Sequence, residues 1–148
     1  MQKSTTKSFT QTQKLGESLA KEILKSGTGK SAVILCLQGE LGAGKTTFLQ
    51  GFAKGLDIKE KILSPTFILM KKFKINIKNF KNFYHFDCYR LNSSEEILHL
   101  DFKEIISNPE NIVAIEWPEK ISNILPQHII KIVFKNLDKT KRVLTISK

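Results

Sequence analysis

The stretch "LCLQGELGAGKTTFLQGFA", residues 35–53, constrains the fold more than any other part of the chain. Gly39, Gly44, Lys45 and Thr46 satisfy the pattern GxxxxGK[ST]. Before it, "SAVILCLQG" is a short apolar run with β-branched members, which suits a strand covered on both faces in a parallel sheet. After it, Phe48, Leu49, Phe52, Ala53 and Leu56 fall on one stripe of a helix running from Lys45 to Leu56, with Gly55 near its end. This order makes a cradle for phosphate. Small residues at Gly42, Ala43 and Gly44 let backbone N–H groups approach an anion, and the following helix directs the positive end of its dipole at the same place. Lys45 is expected to reach β- and γ-phosphates, and the Thr46 hydroxyl to ligate Mg²⁺.

A chain of 148 residues fits one domain, 1–148. The expected class is α/β: a single P-loop NTPase domain, its central, mostly parallel sheet flanked by helices and extended by antiparallel hairpins. Leu15, Leu19, Ile23 and Leu24 mark an amphipathic helix over 10–26, opened by Thr10 or Thr12 and ended by Gly27. "SPTFILMKKFKI" and "FKNFYHFDCYRL" read as two strands around an "NIKN" turn, the second with His85 and Asp87 on one face. "SSEEILHLDFKEIIS" reads as one short helix opened by Ser93 or Ser94. "NIVAIEWP" reads as a buried strand closed by Pro118, and "HIIKIVF" and "RVLTIS" as a terminal hairpin.

The composition, 41% hydrophobic and 26% charged, is that of an ordinary globular protein. No apolar run approaches the roughly 18 residues of a membrane span, and the N-terminus lacks a secretory pattern, so a cytosolic protein with no membrane partner is expected. Cys36 and Cys88 sit in apolar segments without metal-ligand spacing and read as small hydrophobes. The net charge of +10 raises the question of an anionic partner, but of 24 basic residues only Arg90 and Arg142 are arginine. Lysines so spread read as a solvated face rather than a dedicated nucleic-acid site. In "KKFKINIKNFKNFY", Lys71, Lys72, Lys74, Lys78 and Lys81 alternate with Phe73, Phe80 and Phe83. That mix suits base stacking on a tracked backbone, or a hairpin with buried phenylalanines and wet lysines; the second reading is preferred.

Phosphoryl transfer also needs acids. Glu116 closes "NIVAI", at the carboxyl end of a strand, where open α/β sheets bind ligands and a Walker-B acid would stand. Asp87 lies among aromatics in "YHFDCYR", where a carboxylate needs a purpose: orienting water, helping to hold magnesium, or pairing with Arg90 or His85. Ser64 and Thr66 of "SPTF" are candidates for a switch that senses the γ-phosphate. The absence of NKxD points to ATP, and two arginines leave few candidates for an internal arginine finger, so slow turnover is expected of the protein alone.

"GELGAGKTTF", "SPTF", "YHFDCYRL" and "AIEWPEK", in this order, resemble the TsaE (YjeE) family of small bacterial P-loop ATPases, over nearly the whole chain. Thr12, Leu15 and Gly16 agree with that family, as does the closing hairpin with Arg142. The resemblance implies a part in making N6-threonylcarbamoyladenosine in tRNAs that read codons beginning with A, together with TsaB and TsaD proteins. It implies an ATPase rather than the transferase, with ATP and Mg²⁺ as cofactors and tRNA reached through the complex. The family's nucleotide loop carries onto Glu40, Leu41, Gly42, Ala43, Gly44, Lys45, Thr46 and Thr47, and its magnesium ligands onto Thr46 and Glu116. Its aspartate carries onto Asp87, which with Lys45 and Glu116 forms the implied catalytic set, and its tryptophan onto Trp117. Thr12 and Arg142 are implied contacts around the base or ribose. Cys88 departs from the family's usual leucine, and the lysine-rich hairpin is idiosyncratic. The alternative is a small nucleotide or small-molecule kinase, which normally adds a lid and acceptor-clamping arginines, and no pocket for a second small substrate is evident.

Overall fold

The computed structural model describes residues 1–63 and 69–148, so the expected switch at Ser64 and Thr66 lies outside the described residues. The strands are β1 (Gln2–Thr6), β2 (Val33–Gln38), β3 (Met70–Ile77), β4 (Phe80–Asp87), β5 (Asn111–Glu116), β6 (Ile130–Asn136) and β7 (Arg142–Ser147). Among the described residues they form one seven-stranded sheet in the order β1-β7-β6-β2-β5-β4-β3. The four central strands β6, β2, β5 and β4 run parallel, as expected, and the outer pairs β1/β7, β7/β6 and β4/β3 are antiparallel.

Side-chain alternation along the buried strands divides the core into two layers. Leu35 and Leu37 of β2, Ile112 and Ala114 of β5 and Ile132 of β6 pack against α1 (Phe9–Ser26) and α2 (Lys45–Gly55). Ile34, Cys36, Val113 and Ile115 point the other way, onto Ile97 of α3 (Glu95–Leu98) and Phe102 and Ile105 of α4 (Phe102–Ser107). Cys36 and Cys88 belong to this second layer, and burial pushes both thiols up to about 12, consistent with inert hydrophobes.

Two glycines set how α1 meets α2. A Cβ on Gly16 would stand 2.1 Å from the Phe48 carbonyl oxygen, and one on Gly51 would stand 1.8 Å from that of Gln13. The backbones therefore touch, and Gly55 against Glu17 and Ala20 extends the same contact in the same chain direction.

Several local expectations change. Ser8, not Thr10 or Thr12, caps α1: its side chain accepts from the Gln11 amide at 3.2 Å, while the Gln11 side chain accepts from the Lys7 amide at 2.7 Å. The β1 strand has no signature in the sequence, because its five residues are all polar and owe their conformation to pairing with β7. The helix expected over "SSEEILHLDFKEIIS" breaks into α3 and α4 at Asp101, which adopts a left-handed φ of 58°. The β3/β4 turn centres on Lys78 and Asn79, with φ of 54° and 73°, the sign pair of a tight hairpin turn. Phe73, Phe80 and Phe83 are buried, which removes them as base-stacking platforms. Lys71, Lys72 and Lys74 remain exposed on edge strand β3, where charge blocks further strand pairing. Among the described residues no helix is long and apolar enough to cross a membrane.

Candidate functional site

The loop between β2 and α2 lies at the carboxyl ends of the parallel strands. Gly42 and Gly44 hold φ of 76° and 101°, left-handed values that side chains rarely adopt, and the Ala43 amide donates to the Glu40 carbonyl at 3.1 Å. Leu41, Gly42, Gly44, Lys45, Thr46 and Thr47 wall a cavity of about 760 Å³, well within the range of ligand sites. Ala43 is buried in the α1/α2 layer and Glu40 is exposed, so both shape the loop from outside the cavity wall.

Lys45 begins α2 and is only 5% exposed. Its Nζ donates to the Gly39 carbonyl at 2.6 Å and sits over the Trp117 ring, 3.8 Å from the centroid. Desolvation lowers its pKa, opposed by the negative charges of Glu116, Asp87 and Glu119. The site is thus acidic beside a buried cation.

Glu116 ends β5, in register with Leu37 on one side and Asp87 on the other, which brings both acids to the cavity from neighbouring strands. Its Oε2 lies 2.7 Å from His85 Nε2, and both side chains are almost wholly buried. His85 therefore pairs with Glu116, a relationship that strand alternation alone did not reveal. Asp87 is half-buried and its Oδ1 accepts from the Tyr89 amide at 3.0 Å. Burial raises the Asp87 pKa, and the nearby Glu116 charge adds to the effect against the Tyr89 hydrogen bond.

Arg142, at the start of β7, also walls the cavity and is 92% buried, its exposure being 8%. It ties the loop down: Nη2 donates to the Gly42 carbonyl at 3.2 Å, and Nη1 to the carbonyls of Asp138 at 2.8 Å and Lys141 at 3.2 Å. Thr12 is placed differently from the expectation. It is buried, its hydroxyl shared with the Thr6 hydroxyl at 2.7 Å and within 3.3 Å of the Ser8 carbonyl, so it fastens β1 to α1 and is not part of the cavity wall.

Sequence reasoning missed two parts of the wall. Phe9 stands on it, and the wall also includes Tyr89, Leu91 and Glu96 besides Asp87 and Glu116, space that had not been evident. The second part had a signal, since "YRL" follows Asp87 directly; Phe9 had none that a local pattern carries.

The chain matches the family model described as threonylcarbamoyl adenosine biosynthesis protein TsaE over residues 6–144. It is similar to the tRNA threonylcarbamoyladenosine biosynthesis protein TsaE of Rickettsia typhi, 42% identical over 78% of this chain and 77% of that protein. The protein of the same name from Bacillus subtilis is 36% identical over 84% of this chain and 75% of its own length, and that of Haemophilus influenzae 35% over 88% and 79%. Among solved structures, the crystal structure of YdiB from Bacillus subtilis superposes with a TM-score of 0.71 at 29% identity, covering 98% of this chain and 83% of that one. Sheet order, loop and neighbour together give the fold of P-loop NTPases. The chain belongs to the TsaE family of tRNA threonylcarbamoyladenosine biosynthesis proteins.

Proposed function

We propose that this chain is a cytosolic accessory protein that binds and hydrolyses ATP in tRNA N6-threonylcarbamoyladenosine modification, acting on a TsaD–TsaB assembly and meeting tRNA through it. The observation that carries the reading is the convergence of Lys45, Thr46, Asp87 and Glu116 on one cavity at the carboxyl ends of β2, β4 and β5. Family membership supplies the pathway.

The chain's own groups suit the task. Loop amides from Leu41 to Thr47 and the α2 N-terminus offer donors and positive potential to a polyphosphate. Lys45, desolvated and held by a carbonyl and a ring, exchanges those contacts for β- and γ-phosphate oxygens, which are stronger partners for a buried ammonium. Asp87, whose pKa is raised, orients the attacking water, and His85 holds Glu116 in place through Oε2.

Among the described residues no group of three or more His, Cys, Asp or Glu is placed to hold a metal, so a self-contained metal cage is not what these residues fit. They fit Mg²⁺ differently: this ion takes hard oxygens from one or two carboxylates, a hydroxyl and the substrate's phosphates, here Glu116 and Thr46. Bound with the nucleotide, Mg²⁺ would neutralise charge on the phosphate oxygens.

Titrating purified TsaB and TsaD into the protein with Mg·ATP tests the proposal. A complex should form and turnover, slow alone, should rise; no complex and unchanged turnover would contradict it. The extension of the cavity toward Tyr89 and Glu96 favours one rival, a kinase with an acceptor seated there. Transfer of labelled γ-phosphate to a nucleoside or its monophosphate would establish that rival instead.

A further inference from the structure

The cavity has two ends, and strand order fixes which is which. The loop follows β2; β5 and β4 lie on one side of that strand, β6, β7 and β1 on the other. Glu116 and Asp87 come from the first side, and Lys45 lies over the ring of Trp117, the residue that follows Glu116, so that side receives the terminal phosphates. A nucleotide lying along the loop then has its sugar and base on the side of β7 and β1. Resting on the nucleotide reading above, we propose that Phe9 is the platform on which the base stacks.

Three observations carry the assignment. Phe9 is 62% exposed although it is the first residue of α1, directly after the Ser8 cap, so it contributes little to the core. The α1/α2 register brings it to the cavity: Gln13 abuts Gly51, and one turn earlier on each helix Phe9 comes level with Thr47, both of them on the cavity wall. Arg142, on the same wall, keeps one unmet need. Its two terminal nitrogens are bonded, but the buried Nε has no hydrogen-bond partner and lies 3.7 Å from where a Cβ on Gly44 would stand. A buried N–H without an acceptor is costly, so this donor marks a place where a ligand acceptor belongs. An exposed aromatic face and an unmet donor beside a phosphate loop suit a flat heteroaromatic base with its ribose: the ring stacks, and a sugar or base acceptor meets Nε–H.

Calorimetric titration of the wild type, Phe9→Ala and Phe9→Trp with Mg·ATP and with magnesium tripolyphosphate tests this. Phe9→Ala should lose roughly tenfold in ATP affinity, from the typical worth of one base–aromatic stack, and nothing for tripolyphosphate. Phe9→Trp should bind ATP at least as well as the wild type. Melting curves should coincide, since the side chain is mostly exposed. Unchanged ATP affinity in Phe9→Ala, or an equal loss for tripolyphosphate, overturns the inference. So does a wild type that binds tripolyphosphate as tightly as ATP, an outcome that leaves the phosphate site standing. A wild type that binds neither ligand sinks the nucleotide reading as well.

Discussion

The Lys45 ammonium lies 3.8 Å from the centroid of the Trp117 ring while it donates to the Gly39 carbonyl at 2.6 Å. Trp117 holds a left-handed φ of 59°, a backbone state that costs a non-glycine residue on the order of 1–2 kcal/mol, and this turns the ring after Glu116. Ring and carbonyl are thus the partners of a buried cation. Replacing Lys45 with Met should weaken Mg·ATP binding roughly 10- to 100-fold, the worth of a charged hydrogen bond. Trp117 is the single tryptophan of the chain, so its emission reports on the ammonium above it. The ligand-free emission of Lys45→Met should differ from that of the wild type; identical spectra would mean that the contact does not persist in solution.

The His85–Glu116 pair gives Glu116 a structural role. His85→Leu leaves the Glu116 carboxylate buried with an unmet acceptor and should cost about 1.5–3 kcal/mol of stability in urea unfolding. Gln in place of His85, which can still present an amide N–H near the former Nε2, should recover part of that loss. Glu116→Ala, which leaves the buried His85 ring without its partner, should likewise destabilise the protein.

Gly51→Ala is expected to be severe. The added carbon would overlap the Gln13 carbonyl oxygen at 1.8 Å, backbone against backbone, which no rotamer change relieves. A loss of about 3 kcal/mol or more follows from separating the two helices, measured by chemical denaturation. Gly27→Ala, with nothing within 4 Å of the new carbon but a φ of 77°, should cost no more than about 1–2 kcal/mol.

At Asp87, burial opposes the charge that the proposed role requires. Its pKa is raised by burial, so its stabilising contribution is present below the ordinary carboxylate value of 3.8 and is lost as pH rises through the raised value. Asn keeps the acceptor used by the Tyr89 amide without the charge. Asp87→Asn should therefore melt higher than the wild type at neutral pH, lose that advantage in acid, and lose ATP turnover. A lower melting temperature at pH 7 would show that the charge is net stabilising there.

The phosphate loop was legible in the sequence because its chemistry is local: Gly42 and Gly44 adopt the turns that their lack of a side chain permits, and Lys45 and Thr46 follow at once. Glu116 and Asp87 were legible as acids at strand ends, and parallel pairing brought them together. What escaped notice depends on distant partners. The β1 strand exists through β7, the Thr12 hydroxyl is occupied by Thr6, and Glu116 is held by a histidine 31 residues away. Phe9 reaches the cavity only through the α1/α2 register, which Gly16 and Gly51 set by letting the backbones touch. Local periodicity carries no record of such pairings.

The most direct test of the account is a crystal structure with a non-hydrolysable ATP analogue and Mg²⁺. The account predicts the triphosphate along the loop from Leu41 to Thr47, Lys45 moved from Gly39 and Trp117 onto the phosphates, and Glu116 and Thr46 flanking the cation. A cavity left vacant at saturating analogue, or a nucleotide bound with Lys45 still on the Gly39 carbonyl, would contradict it.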